Sequence, residues 1–120
     1  MKSYNIKGNR EKHVDLYLKM FSGGFGITEK ELSVLKFFVQ AYFDYSSKVN
    51  DPYLLWEMVF SAKSVKNMKS HVGISTSHWA NIKGSMIKKS VFKVHEEDTL
   101  YINDLLIPVE EIKFNFIITD

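Results

Sequence analysis

Two short apolar stripes separated by one glycine constrain this chain more than any other feature. Val65, Met68 and Val72 recur at helical spacing, Gly73 follows, Ile74 stands as an isolated apolar plug, and a second stripe of Trp79, Ile82 and Met86 comes after Ser75. Each stripe fits one face of a helix. A glycine between them tolerates the positive φ that stops a helix, and helices joined so closely must cross steeply over shared side chains. Ser61 or Ser64 is expected to cap the first helix and Ser75 the second, which runs from Thr76 to about Lys89. Gly84 lies inside that second helix. It costs about 1 kcal/mol relative to Ala, so a close backbone approach is expected there.

The charge pattern coincides with the same segment. Residues 61–93 hold seven lysines (Lys63, Lys66, Lys69, Lys83, Lys88, Lys89 and Lys93) and no Asp or Glu, while the other 87 residues sum to −5. The net charge of +2 conceals this division. A basic, acid-free stretch is suited to a polyanion, although a solvated lysine-rich surface is the simpler alternative for a charge run taken alone.

A length of 120 residues fits one core rather than two marginal ones. Seventeen aromatic residues with little net charge exclude disorder. The absence of cysteine removes disulfides, Cys-type zinc sites and thiol nucleophiles, and suits a reducing, cytoplasmic setting. No membrane segment or signal peptide is expected, since the most apolar stretch, residues 53–60, is eight residues long and contains Glu57.

Along the rest of the chain, Val14, Leu16, Leu18 and Met20 alternate like a strand, while Val14, Tyr17, Leu18 and Phe21 also fit a helical stripe; the strand reading is preferred. Three glycines in residues 22–26 break what precedes them. Thr28 and Glu31 form a capping box opening the longest helix, residues 28–45. Its two sides are both apolar, so it is central to the fold or shared with another subunit. Asp51 and Pro52 start a short helix through Leu55, Trp56 and Val59. After Ser90 the period becomes two: Phe92 and Val94, then Leu100 and Ile102, flank the polar tip of residues 95–99 as a hairpin. Residues 105–108 read as an apolar turn, and Ile112, Phe114, Phe116 and Ile118 alternate as a last strand.

Taken together, residues 65–103 resemble a winged helix-turn-helix, the DNA-binding fold of MarR-like and many other bacterial and phage regulators. Counting from Val65, the family's apolar positions four, eight, ten, fifteen and eighteen are Met68, Val72, Ile74, Trp79 and Ile82, and its turn glycine is Gly73. Lys69 departs from the pattern, standing where the family often places a small residue. The stretch from Ile27 to Leu32 looks like the helix that opens many winged domains, which extends the resemblance to roughly 75 of the 120 residues. It implies an α+β fold: a winged helix-turn-helix with a long N-terminal helix, a recognition helix, a β-hairpin wing and a C-terminal strand. As one domain over 1–120, its parts are an N-terminal strand or arm (1–27), scaffold helices (28–60), the helix-turn-helix (61–90), the wing (91–103) and the C-terminal strand (104–120).

The resemblance also implies that the second helix of the motif enters the major groove of double-stranded DNA. Thr76, Ser77, His78, Asn81, Lys83, Ser85 and Lys88 then face the groove or its rim, and Lys63, Lys66, Lys69, Lys88, Lys89 and Lys93 neutralise phosphates. Asn81 can pair with adenine, and Lys83 can reach guanine or phosphate. Arg10 is the sole arginine, so the commonest guanine contact is missing, and base discrimination is expected to be modest or directed to A·T-rich DNA. Read singly, the serines are helix caps, His78 and Asn81 surface residues and Trp79 a core aromatic; only their arrangement supports a site.

Three acids, Glu96, Glu97 and Asp98, stand at the wing tip, where phosphate contact would want Lys or Arg. Either the wing points away from DNA or the domain meets a protein there. The four histidines are too scattered for metal-ligand spacing, and no phosphate-cradling loop or nucleophile elbow occurs. No cofactor and no catalysis are expected. The leading expectation is a small transcriptional or replication accessory factor that binds DNA, with a phage protein as one such setting. It would form a dimer, if at all, through residues 28–45 or 112–118. The rival is a structural or adaptor protein, such as a virion or packaging component, that uses the same fold to meet other chains.

Overall fold

A computed structural model describes residues 10–95 and 98–108. In chain order these form helix α1 (Arg10–Ser22), a 3-10 turn (Gly23–Phe25), helices α2 (Glu29–Ser46), α3 (Pro52–Val59), α4 (Ala62–Val72) and α5 (Thr76–Lys88), strands β1 (Phe92–Val94) and β2 (Leu100–Ile102), and a second 3-10 turn (Asp104–Leu106). The architecture is α+β, with a helical body and a two-stranded antiparallel sheet among the described residues. The expected strand at residues 112–118, like Glu96 and Glu97 of the hairpin tip, lies outside the described residues.

The first segment is a helix, not the strand that its alternation suggests. A strand would place Val14, Leu16, Leu18 and Met20 on one face. Instead the core takes Val14 and Leu18, one helical turn apart, and leaves Leu16 and Met20 exposed at 55% and 69%. Asp15 pairs with Lys19 at 3.1 Å along the helix and also with Lys36 of α2, which fastens the two helices at their surface.

Helix α2 is central. Its N-terminus carries the expected capping box: the Thr28 hydroxyl accepts from the Glu31 amide at 3.2 Å, and the Glu31 carboxylate accepts from the Thr28 amide at 2.9 Å. Val34, Leu35, Phe38, Val39 and Phe43 are buried. Every other apolar side chain of the helix is at least half-buried. With α1, α3 and α4 packed around it, α2 is central to the fold of the described residues. Phe38 is the hub of the core, its ring lying 4.5 Å from Phe60, 5.5 Å from Trp79 and 6.1 Å from Phe92 between centroids.

Helix α3 begins at Asp51, whose carboxylate accepts from the Tyr53 amide at 3.0 Å, with Pro52 at the first helical position. Trp56 stacks on Tyr42 of α2 at 4.8 Å and 23°. Strands β1 and β2 pair Phe92 with Ile102, Lys93 with Tyr101 and Val94 with Leu100. Phe92, Leu100 and Ile102 turn inward to close the core over α5. At the base of this hairpin Ser90 holds a left-handed backbone (φ 63°), and Asn103 secures the corner. Its side-chain amide donates to the Ser90 carbonyl at 2.9 Å and its backbone amide to the Val91 carbonyl at 2.9 Å. The expected apolar turn is the second 3-10 turn, where Leu106 is buried and the Leu105 carbonyl accepts from the Tyr17 hydroxyl at 3.0 Å.

Candidate nucleic-acid interface

The two helices of the acid-free segment are built as their caps dictate. The Ser61 hydroxyl accepts from the Ser64 amide at 3.2 Å to start α4, and the Ser75 hydroxyl accepts from the His78 amide at 3.1 Å to start α5. Between them Gly73 adopts φ 79° and ψ 46°, so the amides of Gly73 and Ile74 both donate to the Lys69 carbonyl, at 2.9 and 3.1 Å. That geometry needs glycine or a residue tolerant of the left-handed region.

The core fixes which way each helix faces. On α4, Met68 and Ser64 are buried and Val65 and Val72 half-buried, so Lys63, Lys66 and Ser70 occupy the opposite, exposed face. On α5, Trp79, Ile82 and Met86 are buried as expected. The exposed residues opposite them are Ser77, Ala80, Asn81, Gly84 and Lys88. Among the described residues a Cβ added at Gly84 would meet nothing within 4 Å, so they show no close backbone approach there.

The candidate residues separate into three groups. Lys63, Lys66, Thr76, Ser77, His78, Asn81, Lys88 and Lys93 are exposed, and Lys69 is half-buried at the turn with its ammonium donating to the Thr76 hydroxyl at 3.0 Å. Among the described residues no carboxylate pairs with Lys63, Lys66, Lys69, Lys83, Lys88 or Lys93. Lys83 is exposed but lines a cleft of about 240 Å³ with Trp56, Glu57, Phe60, Asp98 and Thr99, so it stands among acids on the hairpin side of α5.

Ser85 and Lys89 do not join the exposed face. The Ser85 hydroxyl donates to one Glu31 oxygen at 2.6 Å, and the Lys89 ammonium donates to the other at 2.5 Å. Glu31 is 4% exposed. Burial alone pushes its carboxyl up, but the hydrogen bonds from Lys89, Ser85 and Thr28 outweigh that and hold it at about 2. A buried carboxylate requires such partners, and this requirement draws Lys89 away from the positions expected to neutralise phosphate. Sequence reasoning treated Glu31 only as a capping residue. Its phase was a usable signal, since positions 31, 35 and 38 share the buried stripe of α2.

Among the described residues no group of three or more His, Asp or Glu side chains is placed to hold a metal ion, and no helix is long and apolar enough to cross a membrane. Searches for similar proteins return no family model, no curated protein and no solved structure that matches this chain.

Proposed function

We propose that this chain binds double-stranded DNA without catalysis, as a small regulatory or replication accessory protein with a winged helix-turn-helix. In this reading α4 and α5 are the helix-turn-helix, α5 lies in the major groove and β1 with β2 forms the wing. One observation carries the proposal: burial of Trp79, Ile82 and Met86 turns the opposite face of α5 outward in the stretch of chain that has lysines and no acids. Lys63, Lys66, Lys69, Lys88 and Lys93 neutralise phosphates. Thr76 and Ser77 sit at the α5 N-terminus, where phosphate oxygens are favoured. Asn81, midway along the exposed face, reads adenine. Asp98 at the hairpin, with Glu57 beside it, keeps that side off the phosphates.

Fluorescence anisotropy of a labelled duplex across a salt series tests this. Five phosphate contacts give a log-log slope of about −4 to −5, and K66E/K88E abolishes binding at physiological salt. Absent or salt-independent binding overturns the proposal and favours an adaptor that meets protein. A specific observation supports that second reading: Leu16 and Met20 are exposed one turn apart on α1, and Leu105 is 67% exposed on the turn that α1 contacts.

A further inference from the structure

Glu31 is the only buried acid among the described residues, and its two oxygens tie together segments 54 and 58 residues apart. One oxygen accepts from the Thr28 amide and from Lys89, the other from Ser85, so the group that closes the N-terminus of α2 also grips the last turn of α5. Ser85 and Lys89 lie one turn apart on the flank of α5, next to the apolar side formed by Trp79, Ile82 and Met86. Apolar contacts are not directional, whereas two hydrogen bonds along one flank fix a helix in rotation about its own axis. Residue 89 is also where α5 ends and the chain passes through the left-handed Ser90 into β1. The grip therefore acts on the exit of the hairpin as well.

We infer that Glu31 withholds Lys89 from the phosphates of bound DNA, so that DNA meets Lys88 and not its neighbour. The inference rests on the DNA-binding reading above. The withheld lysine makes it measurable, because each phosphate contact adds about 0.9 to the salt slope.

The test compares salt slopes on one labelled duplex for the wild-type chain, K88M, E31Q and E31M/K89M. K88M, the control, lowers the slope by about 0.9. E31M/K89M replaces both charges with apolar groups of similar length, which folded proteins tolerate well, and it leaves the slope at the wild-type value. E31Q frees Lys89 and raises the slope by about 0.9. A slope reduced in E31M/K89M as much as in K88M overturns the inference, as does an unchanged slope in folded E31Q; if E31Q does not fold, the double variant decides alone. No binding by the wild-type chain, or no effect of K88M, overturns the DNA reading itself and the inference with it.

Discussion

The ammonium of Lys69 donates to the hydroxyl of Thr76 at 3.0 Å, spanning the turn at Gly73 from the last turn of α4 to the first residue of α5. The same residue's carbonyl accepts from Gly73 and Ile74, so Lys69 binds the connection at both its ends. The Lys69 side chain thus runs along the turn and not between the helices.

Removing this bond separates structure from charge. T76V loses the bond and keeps the lysine; the contact is exposed, so denaturant unfolding is expected to fall by no more than about 1 kcal/mol, with the salt slope for DNA unchanged. K69M loses both and also lowers the slope by about 0.9.

The two glycines of the motif should respond in opposite directions. G73A forces a methyl group into the left-handed region and is expected to cost about 1 kcal/mol in urea unfolding; no steric clash adds to it, since nothing lies within 4 Å of the added carbon. G84A sits in regular helix with equally open surroundings, and is expected to gain up to about 1 kcal/mol. If the α5 backbone approaches DNA at that point, anisotropy will show G84A to be more stable and weaker in binding.

Acid stability follows from Glu31. Its folded carboxyl titrates at about 2 against an ordinary 4.5. A depressed value stabilises the fold fully above the ordinary value, and that contribution drains away as pH falls from about 4.5 toward 2. The shift corresponds to about 3 kcal/mol. Subtracting the urea stability of E31Q from that of the wild-type chain, pH by pH, should give a difference near that size at pH 6 that shrinks steadily on acidification.

At the hub of the core, F38A removes a ring that meets Phe60, Trp79 and Phe92 together. Loss of about 3 to 5 kcal/mol is expected, read as a lower midpoint when urea unfolding is followed by circular dichroism.

The parts of the fold legible beforehand are those with local causes. Thr28 with Glu31, Asp51 with Pro52, Ser61, Ser75 and Gly73 each start or stop a helix through bonds to residues two to four positions away. Segment α1 was not legible, because Val14 and Leu18 satisfy both periods and only tertiary burial shows that Leu16 and Met20 are left outside. The exposed lysines of α4 and Lys88 follow from helical phase. Ser85 and Lys89 lie at the boundary between the faces of α5, where phase is undecided and a carboxylate more than fifty residues distant settles the matter.

Asn103 closes the hairpin where it joins the body, through its bonds to Ser90 and Val91. Because those stitches are made at the base, extra residues spliced into the far end need not disturb the groups below. A fluorescent peptide or affinity tag spliced into the connection between β1 and β2 would thus report on the protein while leaving α5 in place.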